Sequence, residues 1–330
     1  MATYKGIQGY SVQVLASDPS PTASVEGQLW YNSTTSVYKI AVAAAGAWAS
    51  GTAVNTARRS MASAGTTTAA LLAAGIDGPG SSWVEKWNGS TWTEVQNMIK
   101  GRQYLKGAGT STAFIACGGV HTDPVFDLTE IYDGTSWTEV NNMLTARQSM
   151  GMASAGTTTA SLIFGGALVP TASGVDNCEE YDGTSWSEKN DILTNRYLPS
   201  GAGTTTAALC IGGQQAPGAG MTNSESWNGT CWTASTAINN GRNSTSGGGS
   251  QTSAILAGGN PNSPGLYTEV WNGSAWTEVA DLTNKAAGAG RAGVDNDAAL
   301  CISGYNGSSN ITAVEEWTGS PYSIKTVTVS

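Results

Sequence analysis

Two kinds of charged residue recur at fixed places along this chain. A glutamate lies two residues before an aromatic residue in six copies: Glu85, Glu130, Glu179, Glu225, Glu269 and Glu315. An arginine lies ten residues after a tryptophan in five copies: Arg58, Arg102, Arg147, Arg196 and Arg242. A ring of guanidinium groups could bind an anion, whereas buried arginine–glutamate pairs would tie neighbouring strands or repeats together. We favour the structural interpretation, because a binding site seldom needs the same residue in every copy.

The sequence contains one histidine, His121, in a segment that also holds Asp123. A single histidine cannot supply a histidine-rich metal site, and a serine–histidine–aspartate arrangement would depend on this residue alone. The motifs of phosphate-binding loops, esterase nucleophiles and zinc proteases are missing. Nearly all acidic residues belong to repeat positions or turns, so the two specially placed carboxylates of a glycosidase have no candidates. We therefore predict a protein that is not an enzyme and that needs neither a metal nor a cofactor.

Aromatic residues divide the chain into copies of one unit. They recur at intervals of 44 to 49 residues: Trp48, Trp92, Trp137, Trp186, Trp232, Trp276 and Tyr322. A period of this size is typical of a structural unit that is repeated around a ring or along a stack. With 43 glycines and only 12% charged residues, the composition favours short strands and tight turns over amphipathic helices.

Residues 144–191 show what one unit contains. A first strand follows Arg147, a Gly-Thr-Thr-Thr turn ends it, and the apolar residues 160–164 form a second strand that closes on two glycines. After a variable segment, a third strand carries Glu179, and an Asp-Gly turn leads to a fourth strand with Trp186. Asp-Gly and Asn-Gly accept positive φ at both central turn positions, which suits a tight hairpin. Each unit therefore consists of four short antiparallel strands, as in a β-propeller blade.

The glycine pair, the aromatic-x-Gly turn and the following tryptophan resemble the kelch repeat. We predict an all-β fold, a β-propeller of kelch-like four-stranded blades with six full repeats: 54–98, 99–143, 144–191, 192–237, 238–281 and 282–330. Trp48 precedes them by the usual interval, so residues 1–53 are expected to form an N-terminal arm and a degenerate first blade, which makes seven blades. The alternative is six blades plus an N-terminal hairpin module, with strands at residues 28–32 and 36–42.

The segments between the second and third strands vary in length and content: 76–84, 120–129, 167–178, 214–224, 260–268 and 305–314. In an up-and-down blade these loops emerge on the same face as the connections between blades. A rigid scaffold with dissimilar loops on one face is typical of a recognition surface. The candidate binding residues on these segments are Trp83, His121, Asp123, Gln214, Asn260 and Tyr305. Most other tryptophans hold repeat positions and are expected to pack the blades.

Composition narrows the possible partners. The net charge of −9 comes from 24 acidic and 15 basic residues without a basic cluster, which argues against binding to nucleic acid or anionic membranes. The chain has no apolar run long enough to insert in a bilayer, and its start lacks the apolar stretch of a secretion signal. Cys117, Cys210 and Cys301 share one strand position, so we expect them to be small core residues rather than disulfides or metal ligands.

Residues 26–35, EGQLWYNSTT, resemble the G-x-L-W-Y-N-x-T-T hairpin found near the start of many bacteriophage tail and virion proteins. The low charge and the Ser/Thr/Ala/Gly richness are also similar to virion-associated proteins of marine tailed phages. The resemblance implies a structural or host-recognition protein of the virion, assembled in the host cytoplasm without a signal peptide. Its partners would be other virion proteins or a host surface receptor. A carbohydrate-binding, lectin-type propeller and a cellular kelch-type interaction scaffold remain as alternatives.

Overall fold

The structure is a computed structural model, which describes residues 12–19, 27–43, 45–78, 81–121, 124–168, 173–215, 220–260, 265–319 and 322–327. These ranges form strands and turns without a helix, and the strands build seven four-stranded sheets. The prediction of an all-β fold made of four-stranded blades is thereby confirmed. The chain divides into two compact units, residues 47–317 and residues 1–46 with 318–330.

The strand bounds follow the repeat along the chain. Strands β1 to β4 are Gln13–Leu15, Leu29–Asn32, Val37–Ala43 and Ala47–Ser50. Strands β5 to β8 are Ala62–Thr66, Ala69–Gly75, Ser81–Trp87 and Trp92–Val95. Strands β9 to β12 are Lys106–Gly109, Phe114–Cys117, Thr129–Tyr132 and Trp137–Val140. Strands β13 to β16 are Gly151–Met152, Ser161–Phe164, Cys178–Tyr181 and Trp186–Lys189. Strands β17 to β20 are Ser200–Gly203, Ala208–Ile211, Ser224–Trp227 and Trp232–Ser235. Strands β21 to β24 are Ser246–Gly249, Ala254–Ala257, Thr268–Trp271 and Trp276–Glu278. Strands β25 to β28 are Gly290–Ala292, Ala298–Ile302, Val314–Thr318 and Tyr322–Thr326.

The unit of residues 47–317 contains six of the seven sheets. Five consist of four consecutive strands each, from β5–β8 to β21–β24, and the sixth has the order β25-β26-β27-β4. The first strand of each sheet contacts the first strand of the next, from β5 through β9, β13, β17 and β21 to β25, and β25 contacts β5 again. The six inner strands therefore close a ring.

A circle of backbone hydrogen bonds marks this closure. The residue two places after each recurring arginine position has positive φ, between 54° and 62°: Ser60, Tyr104, Ser149, Leu198, Ser244 and Gly288. Each N–H donates to the carbonyl of its counterpart in the neighbouring sheet over 2.7 to 3.1 Å. The N–H of Ser60 donates to Gly288 of the last sheet, and this bond closes the circle. Seven four-stranded sheets agree with the predicted number. Their division into a ring of six and one further sheet corresponds to the alternative arrangement of the sequence analysis.

Strand β4 closes the ring from the N-terminal side of the sequence. We expected Trp48 to end a degenerate first blade and Tyr322 to end the last one. Instead β4 is the outer strand of the sixth sheet, and the rings of Trp48 and Trp317 lie 5.4 Å apart. The aromatic pairs of the other five hairpins have centroid distances of 5.2 or 5.3 Å, for example between Trp87 and Trp92. Trp48 thus takes the place that the period had assigned to Tyr322.

The unit of residues 1–46 and 318–330 holds the remaining sheet, in the order β1-β2-β3-β28. Strands β2 and β3 form the predicted hairpin, and the Asn32 side chain accepts hydrogen bonds from the backbone of Thr34 and Thr35. Strand β1 pairs with β2 in parallel, which differs from the antiparallel blades. The Asp18 carboxylate accepts hydrogen bonds from Asn32 and Trp30, and these bonds lower its pKa.

The outer hairpins differ in detail from the predicted tight turn. In the hairpin between β7 and β8, Trp87 pairs with Trp92 across a four-residue loop, and of Asn88 and Gly89 only the glycine has positive φ. The Asn88 carboxamide oxygen accepts the backbone N–H groups of Ser90 and Thr91. The side chain therefore closes the turn, because asparagine and aspartate can bond their own backbone two and three residues ahead.

Candidate functional site

Each recurring arginine forms an ion pair with the glutamate of its own sheet, and both side chains are buried. The pairs are Arg58–Glu85, Arg102–Glu130, Arg147–Glu179, Arg196–Glu225 and Arg242–Glu269. In the third pair, Nη1 of Arg147 lies 2.6 Å from Oε1 of Glu179. At Arg58, Arg102 and Arg242, burial lowers the pKa of the guanidinium, and the facing carboxylate opposes this effect only in part.

The same glutamates also hold the connections between sheets. Glu179 accepts the backbone N–H of Leu144 at 2.7 Å, and Glu225 accepts that of Leu193 at 2.7 Å. In the sixth sheet Ala286 occupies the arginine position, and Glu315 accepts the N–H of Thr283 at 2.8 Å and of its neighbour Asn284 at 2.7 Å. Each carboxylate thus fixes the segment that leads to an inner strand. The recurring guanidinium groups are engaged by these carboxylates and are not arranged as a ligand site.

All six variable segments begin at one face of the ring. The first residue of each segment forms a β-bridge with the residue that follows the recurring arginine position: Arg59–Ile76, Gln103–Val120, Gln148–Ala167, Tyr197–Gln214, Asn243–Asn260 and Ala287–Tyr305. The residue after the arginine position leads directly into an inner strand. The variable segments and the connections between sheets therefore share one face of the unit, which we call the variable-loop face.

Three of the predicted binding residues occupy equivalent positions on this face. Gln214, Asn260 and Tyr305 are the first residues of their segments. The Gln214 side chain accepts a hydrogen bond from Asn243 at 2.6 Å, and the guanidinium of Arg59 lies 4.4 Å from the centroid of the Tyr305 ring. The structure therefore places these three residues around the ring axis, and two of them already contact side chains of the protein.

Trp83, His121 and Asp123 are not the first residues of their segments. Trp83 is 45% exposed, but it lies within β7 and not in a loop before a strand, and its carbonyl accepts a hydrogen bond from Arg58. His121 is half-buried and directly follows the bridge residue Val120. Asp123 lies outside the described residues.

Three exposed apolar residues also lie on the variable-loop face, and the sequence analysis missed them. Ile99, Leu144 and Leu193 are 59%, 60% and 60% exposed, three residues before the recurring arginine in three consecutive sheets. The equivalent residues of the other three sheets are polar: Asn55, Asn239 and Thr283. We call the first three residues the apolar arc. Their signal in the sequence is a second apolar residue directly after the buried Met98, Met143 or Ile192, at a place where the other three sheets have a polar residue.

The inner strands enclose a central cavity of about 50 Å³. Lys106 of β9 and Arg291 of β25 line it together with serine, threonine, glycine and methionine residues. Burial alone lowers the pKa of Lys106 to about 8 and that of Arg291 to about 10. Neither cation stands out in the sequence, because lysine and arginine occur at these strand positions once each and are not repeated in the other units.

Four of the five cysteines are buried, and Cys231 is exposed. Cys117, Cys178, Cys210 and Cys301 are buried thiols, and burial raises the pKa of each to about 12. Within the same ranges, no three side chains of His, Cys, Asp or Glu come together in a way that could hold a metal ion. Nor does this part of the chain contain a helix with the length and apolarity needed to cross a membrane.

Comparison with known proteins adds a structural likeness only. No family profile matches the chain, and no curated protein matches it. Among the solved structures that do match is the one described as "Structure of YjhT", with a TM-score of 0.70 and 13% sequence identity over 83% of this chain and 99% of that chain. Because the identity is low, this likeness shows that the two proteins share a β-propeller-type fold, and it shows nothing more specific.

Proposed function

We propose that this protein is a non-enzymatic component of a tailed-phage virion whose variable-loop face binds a partner protein, either on the particle or on the host surface. The observation that carries the proposal is the gathering of all six dissimilar segments on one face of a rigid ring. A scaffold that holds variable loops in fixed positions is the usual architecture of a recognition surface.

The apolar arc favours a protein partner over a sugar. Three aliphatic side chains that are each about 60% exposed would gain free energy when a partner covers them. The aromatic platforms used for sugars are less available here, because Arg59 already covers one face of the Tyr305 ring.

The N-terminal unit supports the assignment to a virion. Its β2–β3 hairpin carries the segment that resembles phage tail and virion proteins, with Trp30 buried at its centre. On the other side of the same sheet, Val14, Tyr31 and Tyr38 are register partners across three strands. Val14 is 67% exposed and Tyr38 is 43% exposed. A second apolar surface of this kind suits attachment to a neighbouring virion protein.

The first test is mass spectrometry and adsorption with particles produced from the genome that encodes this chain. We expect the protein in purified particles, and its absence from them would contradict the virion role. We expect particles that carry Ile99→Ser, Leu144→Ser and Leu193→Ser together either to lack the partner protein or to adsorb to the host at least about tenfold less. The reason is that each of these side chains contributes on the order of 1 kcal/mol to binding when a partner covers it.

The matched control is Val294→Ser. Val294 is 59% exposed, but it lies in the turn between β25 and β26, at the opposite end of the inner strands. Assembly and adsorption that are equally affected by this control would argue against the variable-loop face. Binding of the isolated protein on a glycan array, lost with Trp83→Ala but kept in the triple variant, would instead indicate the lectin-type alternative.

A further inference from the structure

Among the described residues that line the central cavity, Lys106 and Arg291 alone are charged. At the positions equivalent to Lys106, the other inner strands carry alanine, glycine or serine, and at those equivalent to Arg291 they carry serine, glycine or methionine. Short side chains at these places are expected, because six strands converge on one axis. Two long cations in so narrow a space therefore need a separate explanation.

Neither cation has a carboxylate to compensate its charge. Among the described residues that line the cavity, none is acidic. Lys106 forms no ion pair or hydrogen bond through its ammonium group within the described part of the chain. This contrasts with Arg147 and its four counterparts in the same ring, each of which faces a buried glutamate. Lys106 and Arg291 are each half-buried, and an uncompensated cation in such a position gains from a counter-charge that comes from outside the chain.

The Arg291 guanidinium is only partly satisfied by the protein. Its Nη2 donates to the carbonyl of Gly293, whereas its buried Nε has no acceptor among the described residues. The Arg291 guanidinium packs against Gly248 of the adjacent strand β21. Only glycine fits at this position, because a Cβ there would lie 1.7 Å from Cζ of Arg291. The backbone N–H of Arg291 donates to Ser63 at 2.7 Å, which fixes this part of β25 against β5. The side chain is thus held in the cavity with a free donor.

We propose that the central cavity binds one small oxyanion, of the class of sulfate, phosphate or a short carboxylate, between the Lys106 ammonium and the Arg291 guanidinium. A volume of about 50 Å³ corresponds to about four water molecules at roughly 10–15 Å³ each by the same measure. This space accommodates a single tetrahedral or planar anion and excludes a monosaccharide. Both cations line this one cavity, and each can supply charge-assisted donors to an oxyanion.

The site is independent of the proposed partner surface. Its occupant would neutralise charge at the point where all six blades meet, and would link the sheets of β9 and β25 on either side of the β5 sheet. The anion would therefore be a structural ligand of the ring. Such a ligand stabilises the folded state. Once its concentration exceeds the dissociation constant, the stabilisation grows with the logarithm of the ligand concentration.

The test is isothermal titration calorimetry of sulfate into the full-length protein at pH 7 in a buffer free of other oxyanions. We expect one saturable site. Lys106→Met and Arg291→Met should each weaken sulfate binding by about 10- to 100-fold, because each removes a charge-assisted interaction, and the double variant should show no binding. Acetate in place of sulfate distinguishes a general carboxylate site from one that requires a tetrahedral anion.

The charge-matched control is Lys100→Met with Lys189→Met, which removes two cations from outside the cavity. This control should bind sulfate as the unchanged protein does. Thermal unfolding provides a readout that does not depend on calorimetric heat. Sulfate should raise the melting temperature of the unchanged protein and of the control more than that of the Lys106→Met, Arg291→Met variant. Equal sulfate affinity in all three proteins, or no saturable binding in any of them, would overturn the proposal, while leaving the variable-loop face untouched.

Discussion

The five recurring arginines and six recurring glutamates stabilise the blades in every sheet of the ring. Each glutamate accepts hydrogen bonds from a connecting segment, and in five sheets it also compensates a buried guanidinium. Removing one partner of such a pair leaves the other charge buried, which is more costly than removing both. The recurrence of these residues is therefore explained by the blade and not by a ligand.

This pairing predicts the effect of changing Glu179. The Glu179→Ala variant should lose about 3–5 kcal/mol of unfolding free energy, because Arg147 remains buried without a counter-charge. The double variant Arg147→Met, Glu179→Gln should recover a large part of that loss, since no uncompensated charge remains. Urea unfolding measures both values. The control is Glu188→Ala, which removes an exposed carboxylate from the neighbouring strand. A Glu179→Ala variant as stable as this control would contradict the structural interpretation.

Lys106 is expected to make the stability depend on pH. Its pKa is lowered by burial to about 8 in the folded protein, from 10.5. Between these two values the unfolded chain holds a proton that the folded chain has lost. In the absence of anion, the unfolding free energy should therefore rise as the pH increases from 8 to 10.5, by at most about 3 kcal/mol. Arg291 shares the cavity with Lys106. Cys117 is the register partner of Lys106 and stays a neutral thiol up to about pH 12.

The measurement compares urea unfolding of the unchanged protein and of Lys106→Met between pH 7 and 10. The difference between the two proteins isolates the lysine from all other titrating groups. Sulfate affinity should fall over the same interval above pH 8, because the neutral amine no longer attracts an anion and sulfate itself does not titrate there. Parallel pH profiles of the two proteins would show that Lys106 keeps its ordinary pKa.

At the scale of elements, the ring depends on a strand that lies far away in the sequence. Strand β4 completes the sheet of β25–β27, and the Trp48 indole N–H donates to Thr268 of the neighbouring sheet at 3.0 Å. Without β4, strand β27 would expose an unpaired edge, and Trp317 would lose its aromatic partner. The closing strand therefore protects both an edge and part of the core.

Two truncated chains test the role of β4. Residues 47–317 expressed alone should fold, because they form one compact unit with a closed ring. Residues 52–317, which lack β4, should have a clearly lower melting temperature and should aggregate through the open edge of β27. Circular dichroism and size-exclusion chromatography compare the two chains directly. Equal stability of both fragments would mean that the sixth sheet does not need its fourth strand.

At the scale of the whole molecule, the closed ring separates uniform parts from variable ones. The repeated turns and ion pairs serve the blades, whereas the variable segments and the apolar arc share one face of residues 47–317. The sequence predicted this division through the unequal lengths of the segments between the second and third strands. It did not predict Ile99, Leu144 and Leu193 as exposed residues, because each directly follows a core residue and the sequence does not show which of two adjacent apolar residues faces solvent.

The period of the aromatic residues, the glycine turns and the alternation of short strands were enough to determine an all-β propeller with four-stranded units. Each of these signals is local, since a blade is built from contiguous residues. Only the tertiary structure decided how the ring closes, because Trp48 and Trp317 are far apart in sequence and the spacing of aromatics fits Tyr322 equally well. It also decided that Lys106 and Arg291 share one cavity, since that meeting depends on six strands converging on an axis that no single repeat contains.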